Sequence, residues 1–261
     1  MNFKALARYF YARTPGLAAV RFVAMDLASP YFVKPEYRGV VALSVAEGLM
    51  VDVGANRGQS IAAFKNLAPE SNIVAFEPEP KSAERLALRY RRDPTVTIHG
   101  CALGERATTV TFFVPTYGRW DCDGMSATDR NAATEWLRDP GRMLLFNEAK
   151  LTVKEHQIEC RTLDSYKLAP LLIKLHAQGD EFAILKGSKQ TIRQYKPALM
   201  CAFPSVAVTE LLSDWGYRPY AYCNGRFVPG IAKRPATFTW YLTKNHARQV
   251  STGRPASVGW R

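Results

Sequence analysis

The stretch Leu49 to Ser60, LMVDVGANRGQS, constrains this chain more than any other. Its apolar start, Leu49-Met50-Val51, suits a strand buried in a parallel sheet. Asp52 follows, then Gly54, Asn56 and Gly58, and Ile61, Ala62 and Phe64 begin a helical pattern. A strand that breaks into a glycine-rich turn and then a helix is a device for cradling a nucleotide. Glycine tolerates positive φ and lets ligand atoms approach the backbone. The helix start presents unpaired N–H groups to the crevice. The alternative is an ordinary strand–helix turn whose glycines serve packing.

Spacing separates the ligand classes. A dinucleotide fingerprint needs G-x-G-x-x-G, whereas the order here is Asp52-x-Gly54-x-Asn56-x-Gly58. No Lys-Ser/Thr pair follows Gly58, which excludes a P-loop. An acid at the strand end repels a pyrophosphate and suits a cation. S-adenosylmethionine carries an ammonium and a sulfonium and no phosphate. Glu77 closes the next strand, where an acid can accept hydrogen bonds from both ribose hydroxyls of an adenosine.

The rest of the chain supports one large α/β domain. Its 261 residues are 47% hydrophobic, enough for a sizeable core. Strands are predicted at Leu49–Val53, Asn72–Phe76, Val96–Cys101, Thr108–Val114, Thr152–Arg161, Leu171–Leu175, Ala198–Phe203 and Thr237–Leu242. Helices are predicted up to Leu67 and at Lys81–Tyr90, Asp129–Leu137, Glu181–Tyr195 and Val206–Trp215. Alternation of the two argues for a doubly wound sheet. Pro115 to Thr128 has no periodicity and reads as a substrate-contacting loop; Tyr220 to Gly230 reads as turn-rich. The divisions expected are an N-terminal helical lid or membrane-facing segment over 1–47, a core domain over 48–244 and a basic tail over 245–261, polar and frayed. Within the first, helical spacing covers Phe3 to Tyr11 and Leu17 to Leu27, with a break at Pro15-Gly16.

Net charge is +12, and no acid follows Asp214, while Arg218, Arg226, Lys233, Arg234, Lys244, Arg248, Arg254 and Arg261 do. Such a segment attracts polyanions or is simply a solvated basic face. Five scattered cysteines without a C-x-x-C argue for free thiols in a reducing compartment and against a zinc site. No apolar run reaches the length of a membrane span, and the N-terminus lacks a signal-peptide core, so a cytoplasmic location is expected.

Several segments together resemble FkbM-type methyltransferases. They are VDVGANRGQS, VAFEPEP (Val74 to Pro80), HGCALG (His99 to Gly104), ECRTLDSY (Glu159 to Tyr166) and LLIKLHAQGDEFAILKGS (Leu171 to Ser188). The resemblance runs over most of the chain, roughly Val51 to Leu242. It implies S-adenosylmethionine-dependent O-methylation on a class I methyltransferase, Rossmann-like doubly wound sheet, mostly parallel with an antiparallel final strand. By the same resemblance Asp52, Gly54, Ala55, Asn56 and Gly58 hold the methionine half of the cofactor. Glu77 and Pro78 take the ribose, and Cys101-Ala102 border the adenine.

The chain departs from the family where Lys-x-Asp-x-Glu-Gly becomes Lys174-Leu175-His176-Ala177-Gln178-Gly179. Both carboxylates are lost at the carboxyl end of a parallel strand, where sites in such sheets sit. Two readings follow. His176 replaces the aspartate as general base, or it is a packed histidine in a changed or dead site. Lys174 orients an acidic acceptor or, the preferred expectation, pairs with an internal carboxylate. Arg119, Asp121 and Asp123 are candidate acceptor contacts. No metal is expected. The acceptor implied is a sugar hydroxyl of a glycolipid, polysaccharide or other glycoconjugate, with an anionic membrane as a peripheral partner. The rivals are a non-catalytic cofactor-binding accessory protein, a nucleic-acid methyltransferase, disfavoured by the absence of an Asn/Asp-Pro-Pro-aromatic motif, and a nicotinamide dehydrogenase, disfavoured by glycine spacing.

Overall fold

A computed structural model describes residues 3–14, 16–28, 33–43 and 48–252. Pro15 of the expected break, and Arg254 and Arg261 of the basic tail, lie outside the described residues. The strands are β1 Leu49–Val53, β2 Asn72–Phe76, β3 Val96–His99, β4 Ala102–Leu103, β5 Thr108–Tyr117, β6 Trp120–Asp121, β7 Leu151–Arg161, β8 Pro170–Leu175, β9 Ala198–Ala202, β10 Arg218–Cys223, β11 Arg226–Pro229 and β12 Phe238–Leu242. Eight of them form the main sheet in the order β11-β10-β12-β9-β8-β1-β2-β3. The five from β9 to β3 run parallel, and β12 pairs antiparallel with both β9 and β10. This is the class I Rossmann-like arrangement with its antiparallel last strand.

The parallel strands are buried on both faces, which is why their sequences read as continuous apolar runs. Met50, Ile73, Leu172 and Met200 point to one face, under the Gln59–Leu67 and Pro80–Tyr90 helices. Val51, Ile173, Leu175 and Leu199 point to the other, under helices that carry Ile184, Ile192 and Leu212. Tyr37, Val40 and Leu43 join the first core, and the Tyr37 ring stacks edge-on against Phe64 and Phe238. A second sheet, β4-β7-β5-β6, is inserted between β3 and β8.

Four predicted elements differ. The stretch 115–128 is not one loop: the β5 strand runs on to Tyr117, β6 pairs with it, and only the remainder is irregular. The turn-rich 220–230 is a hairpin of β10 and β11. Its two-residue turn is Asn224-Gly225, both at positive φ, the pair that a tight hairpin demands. The predicted 181–195 helix is two, Glu181–Lys186 and Lys189–Tyr195. Gly187 breaks it, because its backbone lies so close to Gly104 that a Cβ would sit 1.9 Å from the Gly104 carbonyl. Asp164 then caps the second piece by accepting from the N–H groups of Gln190 and Thr191. The tail residues Lys244–Thr252 form a helix where a frayed end is predicted.

The Phe3–Tyr11 helix docks on the inserted sheet. Arg8 lies over the Trp136 ring at 4.5 Å, and the Ala12 carbonyl accepts from the Arg119 N–H. No helix among the described residues is long and apolar enough to cross a membrane.

Candidate active site

The carboxyl ends of β1, β2 and β8 open into a cavity of about 550 Å³, within the usual range for a small-molecule site. The floor is the turn after β1. The N–H groups of Gly54 and Ala55 both donate to the Phe76 carbonyl, and Gly58 N–H donates to Ala55, closing the turn. Gly54 has φ +74°, and a Cβ there would lie 2.0 Å from the His176 carbonyl oxygen. Only glycine lets β1 and β8 end this close together. Asn56 also takes positive φ, at 48°, which its short amide side chain tolerates. Its N–H thereby points at Glu77.

Glu77 is buried at the end of β2. Its Oε2 accepts from the Asn56 N–H at 2.6 Å and its Oε1 from the Glu79 N–H at 2.9 Å. Burial raises its pKa to about 7 despite those two donors and the nearby Lys174 charge, which pull it down. A carboxylate has about four acceptor positions, so two remain for hydroxyl groups in the cavity.

Behind the floor stands a buried ion pair. Lys174 Nζ lies 2.8 Å from Asp52 Oδ1, across neighbouring positions of the β1–β8 ladder. The ammonium also donates to the carbonyls of Val53 and Gly54, and the Ser60 hydroxyl donates to the other oxygen of Asp52. Glu181, just outside the lining, accepts from the N–H groups of Ala177 and Gly179, which fixes the loop after β8. Gln178 donates from its side chain to the Gly124 carbonyl, and the Thr128 hydroxyl donates to the Asp180 carboxylate.

The sequence model described as the methyltransferase FkbM domain matches residues 52–219. The chain belongs to the FkbM methyltransferase family. It is 25% identical over 169 residues to the 2-O-methyltransferase NoeI of Sinorhizobium fredii (strain NBRC 101917 / NGR234), a match that covers 60% of this chain and 64% of the relative. Among solved structures it is similar to the methyltransferase FkbM of Methylobacillus flagellatus KT, with TM-score 0.47 and 17% identity over 88% of this chain and 62% of that one. A SAM-dependent O-methyltransferase of Thermotoga maritima gives TM-score 0.36 and 12% identity over 80% and 65%.

The residues fit S-adenosylmethionine, the cofactor that the sequence resemblance implies. The cradle at Gly54 excludes any Cβ, and Glu77 stands at the neighbouring strand end with acceptor capacity to spare. Of the residues expected around the cofactor, Gly54, Ala55, Asn56, Glu77, Pro78, Cys101 and Ala102 line the cavity. Asp52 and Gly58 stand behind its wall. Asp52 is wholly buried against Lys174, and Gly58 starts the Gln59–Leu67 helix at φ +81°.

His176 and Lys174 both line the cavity, in the altered part of the family motif. The ring of His176 packs edge-on to Phe238 and Phe203. Burial and the Lys174 and Lys34 charges lower its pKa to about 3. It is neutral at pH 7, so the proton affinity that recommends a histidine as a base is missing here. Lys174 is the partner of an internal carboxylate.

Arg119 and Asp121 do not line the cavity. The Asp121 carboxylate faces Lys81 at the surface, 3.5 Å away. The backbone of Asp123 begins a short 3-10 turn, and its side chain is outside the described part. The second half of that irregular stretch does reach the wall, through Gly124, Ser126 and Thr128. Sequence reasoning missed Asp180 and Lys34, which also line the cavity. The signal for Asp180 was its place directly after Gly179, at the end of the altered motif. Lys34 carries no local signal, because only the fold of the N-terminal segment brings it there.

Proposed function

We propose that this protein transfers a methyl group from S-adenosylmethionine to a sugar hydroxyl of a glycolipid, polysaccharide or other glycoconjugate. The observation that carries the reading is one cavity lined both by Glu77, just past β2, and by His176, just past β8. The cofactor supplies an electrophilic methyl group. Glu77 binds the ribose. The Lys174–Asp52 pair holds the carbonyls of Val53 and Gly54, and so the turn beneath the methionine half, in place. Neutral His176 would accept a hydrogen bond from the acceptor hydroxyl and align its oxygen for in-line attack, the new oxygen–methyl bond forming as the methyl–sulfur bond breaks to leave the thioether, with the hydroxyl proton released to solvent water. Lys34 adds a positive charge beside His176, and Phe203, 62% exposed and 6.3 Å from His176, offers a flat apolar face to a sugar ring. The name of the relative NoeI, a 2-O-methyltransferase, supports an oxygen acceptor.

The N-terminal segment 1–47 serves in this reading as the acceptor-facing cover. The Leu17–Ala28 helix exposes Val20 and Val23 with Arg21 between them, and its Met25 reaches the cavity. Such a face suits an anionic membrane that carries the acceptor, at its inner surface.

A second reading, cofactor binding without turnover, is favoured by the weak basicity of His176 and the two lost carboxylates. Calorimetric titration with S-adenosylmethionine, on the native chain and on the Asp52→Ala, Glu77→Ala double variant, tests the cofactor. Transfer of a labelled methyl group to a panel of methyl glycosides and lipid-linked saccharides then separates the two readings. Binding lost in the variant, with label on a saccharide, supports methyl transfer. Binding without label on any saccharide favours the accessory reading, and no binding at all by folded protein overturns both.

A further inference from the structure

His176 gives the acceptor hydroxyl a partner, and the charges around that histidine narrow what the rest of the acceptor can be. Two lysines line the cavity, Lys174 and Lys34. Lys174 is spent on Asp52. Among the described residues Lys34 makes no ion pair. The carboxylate of Glu36, two residues on, accepts from the Thr237 N–H at 2.9 Å instead. The carboxylates on the cavity wall are held elsewhere, Glu77 by the N–H groups of Asn56 and Glu79 and Asp180 by the Thr128 hydroxyl.

Lys34 is an exposed residue on a fixed mount. Pro35 starts the 3-10 turn Pro35–Arg38, and the Glu36 carbonyl in that turn accepts from the Trp240 indole N–H at 3.0 Å. Tyr37 is wedged against Phe64 and Phe238. The Lys34 ammonium donates to Thr237 Oγ1 at 3.0 Å and lies 6.0 Å from the centre of the Phe238 ring. His176 packs on the same ring at 5.8 Å. Thr237 also holds Phe203, whose N–H donates to its carbonyl at 3.1 Å. Phe203 sits at φ +43°, a left-handed conformation that a bulky residue adopts only when its surroundings impose it. Conformations of this kind gather at binding sites. Here the outcome is an exposed aromatic ring beside His176. Thr237 thus fixes both a cation and an open aromatic face next to the histidine.

We propose that the acceptor is an acidic sugar, whose carboxylate pairs with Lys34 while Phe203 covers one face of its ring. The inference rests on the methyl-transfer reading above and names the substrate class within it. An ammonium has three donors, and one goes to Thr237, so two are left for an anion. Lys34 is the lining cation without a counterion among the described residues, so one negative charge matches the site and a neutral sugar leaves that charge unanswered. The Lys34 charge acts on the His176 ring, so an anion held on this lysine stands close to a hydroxyl held on that histidine.

The test is an NMR titration of the full chain saturated with S-adenosylhomocysteine. The probes are the methyl glycosides of glucuronic and galacturonic acid and those of glucose and galactose. The wild type should bind a uronate at least about threefold tighter than its neutral parent. That preference should shrink as salt is added. Lys34→Met should abolish it and Lys34→Arg should keep most of it, with melting temperatures showing both variants folded. Equal binding of acid and neutral sugar by the wild type, or binding of neither by the loaded chain, overturns the proposal, and this arm needs no variant. An unchanged preference in Lys34→Met also overturns it. So does a matching loss of S-adenosylhomocysteine affinity in Lys34→Met, which would assign the lysine to the carboxylate of the cofactor's methionine half. A wild-type chain that does not bind S-adenosylhomocysteine removes the methyl-transfer reading itself, a result distinct from loaded protein that ignores the acid.

Discussion

Lys174 Nζ lies 2.8 Å from Asp52 Oδ1, and both side chains are almost wholly out of water. The pair joins the last turns of β1 and β8, the two strands whose ends form the cavity floor. Breaking a buried pair on one side leaves an uncompensated charge and costs about 3–5 kcal/mol, whereas removing both partners often costs far less. Lys174→Met alone should therefore destabilise the chain by about 3 kcal/mol or more in urea unfolding. The Asp52→Asn, Lys174→Met double variant should recover part of that loss. Additive effects of the two single variants would show that the pair is not coupled.

Glu77 makes stability depend on pH in a specified direction. Its carboxyl titrates near 7 in the folded chain and near 4.5 when exposed. A raised folded value means that the stabilisation is fully present below about pH 4.5 and is lost as pH rises through 7. The loss is on the order of 3 kcal/mol at about 1.4 kcal/mol per pH unit. Glu77→Gln cannot ionise. The melting temperature of the variant minus that of the wild type should rise between pH 5 and about pH 7 and level off above it. Affinity for S-adenosylmethionine should fall in the variant at every pH, because one acceptor oxygen is gone. A pH-independent difference in melting temperature would place the titration elsewhere.

The sheet was legible because strands buried on both faces announce themselves as apolar runs, and β1, β2, β8 and β9 all lie within a residue or two of their expected limits. That Gly54, Asn56 and Glu77 line one cavity was legible for a related reason: backbone geometry and a strand-end position place them, and sequence spacing records both. The residues expected to meet the acceptor were not. Arg119 and Asp121 looked like substrate contacts because they sit in an aperiodic stretch, but β5 and β6 pair there and turn them away from the cavity. Lys34 reaches the wall through tertiary contacts that no local pattern encodes, whereas Asp180 follows directly on the altered motif. The Asn224-Gly225 turn is a different case, since the dipeptide is a strong hairpin signal and the composition of its surroundings masked it.

Gly54 is required by a close approach, and that requirement is testable on its own. A methyl group there meets the backbone carbonyl of His176, which cannot rotate away, and the residue sits at φ +74°. Gly54→Ala should cost about 3 kcal/mol or more, from strain and displaced strand ends together. Gly58→Ala is the control. Its φ is also positive, but the added carbon meets Leu86 Cδ2, the end of a flexible side chain. Chemical unfolding of both variants should rank Gly54→Ala as the more damaging. It should also show lost S-adenosylmethionine binding even where the fold survives at low temperature. Equal effects at the two glycines would mean that the approach of β1 to β8 tolerates a methyl group.

His176 carries the last prediction, because its environment sets its chemistry. Burial comes first, then the charges of Lys174 and Lys34, and together they hold its pKa to about 3. The ring should stay neutral from pH 8 down to pH 5 in a histidine NMR titration, with the resonance assigned by its loss in His176→Gln. A depressed folded value also means that the stabilisation from this ring is present above about 6.5 and is lost as pH falls toward 3. Lys34→Met removes one of the opposing charges, so it should move the titration upward, and the lower Debye screening of dilute buffer should enlarge the shift. A ring that titrates near 6.5 in the wild type would overturn this account. It would restore His176 as a general base matched to neutral pH, and with it the reading in which this residue takes the place of the family's lost aspartate.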